Sequence, residues 1–321
     1  MSQFIRAVTA ALAFAASTTL AFAEFPDRAV KIIVPTAPGG AIDTTARVIG
    51  EKMQARWGKP VIIENRAGAA MRLGAEAAQK SPADGYTLLV AHDGTMAINP
   101  LVFSDLAYDP QKDFVPLGLV ASIPEAVMVN KSVPANSIAE LIALAKKEPG
   151  QLTHASGGSA TLLALELFKA MAGLDIRSIP YRGGVPAVTG AIAGETSMII
   201  ADLSTGNAAL QSDRINTLAV TSLTRSKKYP NVATLDELGV KGYEVNTWMG
   251  FFAPAGTPKE AAAAIEAAIK DAVAMPDVRA RFESTGADMR SGSAEEMRQL
   301  LAVDVAKWAK LVKEKSIKLT P

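Results

Sequence analysis

A chain of 321 residues, 49 % of them hydrophobic and 20 % charged, is long enough for two ordinary domains and too apolar to remain disordered. Its formal net charge of +1 comes without any run of like charges or basic patch interleaved with aromatics, which argues against nucleic acid and against an anionic membrane surface. The cysteine count of zero excludes a disulfide framework, a CxxC redox site, thiolate metal ligands and a lipid-modified cysteine behind a leader.

The N-terminus has the pattern of a secretory signal. Arg6 supplies a positive start, residues 7–20 form a short apolar run, and Ala21-Phe22-Ala23 matches a signal-peptidase site. The apolar run is too short and too alanine-rich for a transmembrane anchor. Cleavage after Ala23 is expected, with mature protein from Glu24. For a cysteine-free exported protein of this size the expected compartment is a Gram-negative periplasm.

Beyond the leader, strand-like runs alternate with helical patterns. Strand 30–34 precedes helix 42–57, strand 61–64 precedes helix 73–80, and 86–91 is a third strand. Apolar runs at 117–121 and 127–129 follow, then helix 137–147 and strand 152–155. Helix 161–171, strand 177–180, helix 185–193 and strands 197–201 and 217–221 complete the middle. After strand 248–254 the pattern becomes helical, over 258–273, 277–285 and 294–315, with Ser293 and Glu296 spaced as a capping box. Alternation of this kind predicts an α/β fold of two lobes, with mainly parallel sheets around a ligand cleft. The expected lobes are 24–122 plus 249–321, and 123–248, hinged near Ser122 and Trp248. Ligands of open α/β sheets bind at the loops beyond the carboxyl ends of strands. Here those loops are 35–40, 66–72, 92–95, 156–160, 182–184 and 202–206.

The first of them, ending in Pro38-Gly39-Gly40, feeds a helix start, where backbone N–H groups lack intrahelical partners and the helix dipole is positive. Such an end seats a carboxylate or phosphate. It lacks the Lys-Ser/Thr of a P-loop and the third glycine of a dinucleotide fingerprint, so a small organic acid fits better than a nucleotide. Taken alone, the loop reads first as a plain turn. Ala155-Ser156-Gly157-Gly158-Ser159-Ala160 repeats the same logic in the other expected lobe, and the pair favours one anion gripped from both sides.

A set of ordered motifs goes further. PTAPGGAIDTTAR at 35–47, IIENRAG at 62–68, ADGYTLL at 83–89, AINP at 97–100, YDP at 108–110 and KDF at 112–114 lead. IPYRG at 179–183, LAVTS at 218–222, Tyr243 with Trp248, and FAPAGTP at 252–258 follow. Together they resemble the Bug proteins, periplasmic solute receptors of tripartite tricarboxylate transporters, over essentially the whole mature chain. The resemblance implies a two-lobed receptor that closes on a small carboxylate, needs no cofactor, acts as a monomer and hands its ligand to membrane permease subunits. It assigns carboxylate contact to Ala37, Pro38, Gly39 and Gly40 and to Ala155, Ser156, Gly157, Gly158 and Ser159. It also places Asp202, beyond strand 197–201, where it can meet a ligand amine, hydroxyl or water. A helix N-cap is the plainer role for Asp202.

The chain departs from the family in its loops. The 156–161 loop is shorter than the usual serine-rich form, Leu162 stands where a His is usual, and Thr95-Met96 replaces Thr-His. Residues 68–74 read GAAMRLG where G-A-G-G-N-I-G is common. Arg72 could therefore pair with a second carboxylate, with His92 and Thr95 adding donors, or simply face solvent. His92 and His154 are the only histidines, neither in a metal or nucleophile motif, and no G-x-S-x-G elbow exists. Asp43, in the first turn of helix 42–57, reads as a dipole-complementing residue. A periplasmic hydrolase of a small ester or amide, and a ligand-sensing partner of a sensor kinase, are the alternatives.

Overall fold

A computed structural model describes residues 25–284 and 288–319. The signal peptide, its cleavage site, Glu24 and Thr285 at the end of the expected 277–285 helix lie outside the described residues. In chain order the elements are β1 (Val30–Val34), α1 (Ala41–Trp57), β2 (Val61–Asn65), α2 (Arg72–Gln79) and β3 (Thr87–His92). A wide turn (Gly94–Ile98) leads to the short helices α3 (Asn99–Val102) and α4 (Pro110–Asp113), then to β4 (Phe114–Asn130). There follow α5 (Ile138–Lys147), β5 (Thr153–Ser156), α6 (Ser159–Ala172), β6 (Arg177–Pro180), α7 (Gly184–Ala193) and β7 (Met198–Asp202). The remainder is α8 (Asn207–Leu210), β8 (Ile215–Val220), β9 (Asn246–Pro254), α9 (Lys259–Ala274), α10 (Pro276–Glu283), β10 (Asp288–Gly292) and α11 (Ala294–Lys315). Among the described residues no helix is long and apolar enough to cross a membrane.

The strands form one continuous sheet in the order β2-β1-β3-β9-β4-β7-β5-β6, with β10 and β8 also paired to β4. Parallel ladders, the expected kind, occupy its two ends: β1 with β2 and β3, and β5 with β6 and β7. Between them β3–β9, β9–β4, β4–β7, β4–β8 and β4–β10 run antiparallel. The join is made by β4, whose first part pairs with β9 and β10 and whose last part pairs with β7 and β8. Ser122 and Trp248 are partners across the β4–β9 ladder.

The sequence pattern divides β4 into two runs because Pro116 and Pro124 interrupt it. Proline donates nothing to a ladder. Register shifts between Pro116 and Gly118 and between Leu119 and Ala121 form bulges in the first part of the strand, while Pro124 keeps its register opposite Asn246. Strand β10 escapes the pattern altogether, since Asp-Met-Arg-Ser-Gly carries one large apolar residue.

Both faces of the sheet are packed. On one, Ile32, Val34, Leu88 and Val90 meet Ile49 and Met53 of α1 and Ile265 of α9. On the other, Leu89, Phe252 and Trp248 meet Leu163 and Phe168 of α6 and Leu301 and Trp308 of α11. Each fully buried aliphatic side chain contributes about 1.5–3 kcal/mol before entropy is counted. The expected capping box is present: Ser293 N–H donates to Glu296 at 2.6 Å and Glu296 N–H to Ser293 Oγ at 3.2 Å.

Candidate functional site

The 35–40 loop leaves the carboxyl end of β1 and is braced from behind. Asp43, buried in the first turn of α1, accepts from Gly39 N–H at 2.9 Å, from Arg47 Nε and Nη2 at 3.0 Å each, and from Asn65 Nδ2 at 2.9 Å. Burial raises the carboxyl's pKa, but the bonds from Arg47, Gly39 and Asn65 outweigh it and hold Asp43 below its ordinary value. Asp43 thus does more than complement the helix dipole, because it takes the Gly39 amide for itself. Gly40, extended at φ −80 and ψ 174, is the N-cap and no side chain caps it, so the amides that begin α1 are left for an external acceptor. Ala37, Pro38 and Gly39 are exposed.

The second loop is built around His154 and Ser156. His154 Nε2 accepts from Ile200 N–H at 2.9 Å, which assigns the ring proton to Nδ1, 3.0 Å from Ser156 Oγ. Ser178 Oγ donates to the same Ser156 oxygen at 2.7 Å. With both lone pairs engaged, the hydroxyl proton of Ser156 has no acceptor among the described residues. Burial, then the charge of Lys169, lowers the His154 pKa to about 3, so the ring stays neutral. It is a structural histidine.

Beyond Ser156 the two glycines have different tasks. A Cβ on Gly157 would stand 2.7 Å from the Gly183 and Gly184 backbone, so this glycine lets two βα loops touch. Gly158 is exposed and a Cβ there meets nothing within 4 Å. It precedes α6 with no side-chain cap, which makes a second open helix start. Ala155 is buried beneath the loop.

Ser159 is tied to the other loops through Asn99. Its hydroxyl donates to Asn99 Oδ1 at 2.8 Å, and Asn99 Nδ2 donates to Ala70 O at 2.8 Å. Thr95 is wholly buried, its hydroxyl on Met71 Sδ at 3.4 Å and its carbonyl accepting from Tyr108 Oη at 2.8 Å. His92 Nδ1 accepts from Thr95 N–H at 3.3 Å, and burial lowers its pKa to about 4. Asn99 is the linking residue that residue-by-residue reading overlooked; the AINP motif carried it without suggesting a role. In the 66–72 loop, Ala69, Ala70 and Met71 sit at φ 46, 52 and 71, left-handed values that cost non-glycine residues about 1–2 kcal/mol each. Ala70 and Met71 stand where the Bug pattern has glycines.

Arg72 is not solvent-facing; it is 7 % exposed. Its Nη2 donates to both Asp105 O and Oδ2 at 3.0 Å, and its guanidinium lies 5.0 Å from the centre of the Phe103 ring. Nε and Nη1 are buried and find no partner among the described residues. Asp202 caps a turn at the strand exit rather than a helix: Oδ1 accepts from Ser204 and Thr205 N–H at 3.1 and 2.8 Å, while Gly206 is the N-cap of α8. Burial nonetheless raises its pKa above the ordinary value.

Two surface cavities lie away from both glycine loops. One, of about 560 Å³, adjoins Phe25, Arg56 and Trp57, and the other, of about 320 Å³, adjoins Phe103, Tyr108 and Gln111. Neither brings uncapped helix amides together.

The model of the tripartite tricarboxylate transporter family receptor matches residues 45–317. The chain belongs to that receptor family. BugT of Bordetella pertussis is 32 % identical over 298 residues, covering 92 % of this receptor and 91 % of BugT. Among solved structures, R. palustris Rpa4515 with adipate is 32 % identical with TM-score 0.84, covering 92 % of the receptor and 99 % of that chain. MatC from Rhodopseudomonas palustris with bound malate is 30 % identical with TM-score 0.83, covering 90 % and 100 %. The family is one of periplasmic receptors rather than enzymes, so the compartment is the periplasm and the hydrolase alternative is not favoured.

Proposed function

We propose that this receptor binds a small di- or tricarboxylate, or an aromatic acid, between the 37–40 and 155–159 loops. As a monomer cleaved after Ala23, it would deliver that ligand to the permease subunits of its transporter. The observation that carries the reading is the pair of uncapped helix starts, at Gly40 and Gly158, on strands from opposite ends of one sheet. Adipate and malate in the two Rhodopseudomonas relatives support the ligand class. Residues 24–122 with 249–321, and 123–248, act as the two lobes, and their closure about the Ser122–Trp248 pair removes the ligand from water. Asp202, His92 and Thr95 line or support the floor. Micromolar binding needs about −8 kcal/mol, which several charge-assisted hydrogen bonds of roughly 1.5–3 kcal/mol each supply after ordering costs.

A thermal-shift screen with adipate, malate, citrate, aspartate and nicotinate tests this. A ligand at 100 times its Kd should add about 2.7 kcal/mol of stability. No shift with any carboxylate would contradict the reading, as would turnover of a small ester.

Arg72 serves this site from behind. Replacing it, as Arg72→Ala, should lower stability by about 1–2 kcal/mol in urea. Most of that is lost packing over Phe103, because Asp105 is half in water. Affinities for a dicarboxylate and its monocarboxylate analogue should fall alike. A loss confined to the dicarboxylate would instead put the free guanidinium N–H groups on the ligand.

A further inference from the structure

Four acidic side chains from separate parts of the chain gather where the β4–β9 ladder ends and the β4–β7 ladder begins. Glu125, on β4, stands opposite Asp202 in the β4–β7 ladder and is 1 % exposed. Asp93, just beyond β3, is 2 % exposed. Asp304, on α11, accepts from Trp248 Nε1 of β9 at 2.5 Å. Thr247 donates to Glu125 Oε1 at 3.2 Å, but Glu125 Oε2 and Asp93 Oδ1 are buried with no partner among the described residues.

The surrounding charges do not rescue them. Asp304 and Glu125 act on Asp93, and Asp202 acts on Glu125, all with the same sign. Lys307 is the cation that opposes them, and its ammonium donates instead to Glu244 O at 2.6 Å. Glu244 adds a further negative charge beside Asp304. His92 Nδ1, 3.7 Å from Asp93 Oδ1, has no proton to give, since it accepts from Thr95 N–H. Tyr243 is a buried neutral phenol bonded to Ala164 O. No group of three or more acids or histidines among the described residues has the arrangement to hold a metal ion. An ionised carboxylate with a bare oxygen in a dry interior is far costlier than the neutral acid.

We propose that Glu125 and Asp93 stand as protonated carboxylic acids beneath the cleft, a proton store that allows an anion to be held beside acidic side chains. The link to the ligand runs through Asp202 and rests on the carboxylate reading above; the protonation itself does not. Burial first, then the Asp202 charge, pushes Glu125 up to about 8, and burial with Asp304 and Glu125 pushes Asp93 well above the carboxylate range. A raised acid pKa contributes stability that is complete below the unfolded value of 4.5 and is lost as pH rises to about 8. Across that window each retained proton lowers the folding equilibrium constant about tenfold per pH unit.

Urea unfolding of the mature receptor between roughly pH 6.5 and 8 reads these groups as a difference between wild type and variant, in which the unfolded-state titration of the histidines, near pH 6.5, cancels. Relative to Glu125→Gln, which copies the neutral acid, the wild type should lose about tenfold in folding constant per pH unit; Asp93→Asn should behave likewise. Curves parallel to the wild type in both variants would overturn the proposal, as would an ionised Glu125 in carboxyl carbon-13 spectra at neutral pH. With the carboxylate that stabilises the receptor best, Kd should rise up to tenfold per pH unit above about 8 in the wild type and stay level in Glu125→Gln. Level affinity in both would break the link to the ligand while the unfolding data stand. An empty ligand screen would remove the carboxylate reading and leave the unfolding comparison decisive for the protons.

Discussion

Gly158→Val should lower carboxylate affinity by a hundredfold or more while leaving the fold intact. Gly158 is extended at φ 163 and ψ −172, a conformation open to any residue, and a Cβ there meets nothing within 4 Å. The added isopropyl group would occupy the approach to the α6 amides and displace two or more charge-assisted hydrogen bonds, each worth roughly 1.5–3 kcal/mol. Gly39 is the poorer choice for this experiment. It lies at φ +94, so a side chain strains the backbone whatever happens to the ligand, and its N–H already serves Asp43. Gly157→Ala gives the contrasting result, a stability loss from the 2.7 Å approach to the Gly183–Gly184 backbone. Calorimetric titration paired with urea unfolding separates the two. Unchanged affinity in Gly158→Val would move the binding site elsewhere.

Trp248→Ala should cost about 3–5 kcal/mol, enough to unfold a marginal domain. The indole is 2 % exposed, sits in β9 opposite Ser122 and ties the sheet to α11 through Asp304. Truncation opens a cavity and removes the donor that holds the half-buried Asp304 carboxylate. Trp248→Phe keeps most of the volume and loses the N–H, so its cost should be about 1–3 kcal/mol and should shrink in acid. The reason is that burial raises the Asp304 pKa, and protonation removes the uncompensated charge. Urea midpoints for the two variants at neutral and acid pH check this. A phenylalanine variant as damaging as alanine would mean that the Asp304 bond, not packing, dominates.

What the sequence made legible was what repeats along a chain. The alternation of apolar runs with amphipathic stretches located β1, α1, β3 and the later helices, because the periods of 2 and 3.6 residues are local properties. Directions of strands are not local, so the antiparallel centre of the sheet stayed hidden, and two prolines masked the continuity of β4. The glycine loops were recognisable because open helix starts need small residues. Their bracing was not: the bonds of Gly39 to Asp43 and of Ser159 to Asn99 join residues by geometry that no spacing records. Arg72 read as a free cation because its partner, Asp105, lies 33 positions on. The clustered acids come from β4, β7, α11 and the turn just beyond β3, and only the fold brings them together.

The most direct test of the account is an amide NMR titration of the isotope-labelled mature receptor with its best stabilising carboxylate. If one anion is held by backbone N–H groups at two opposed helix starts, the amides of Gly40 and Ala41 and those of Gly158 and Ser159 should shift together. All four should follow one binding curve with a common Kd. Movement at only one helix start, or at neither while the ligand demonstrably binds, would contradict it.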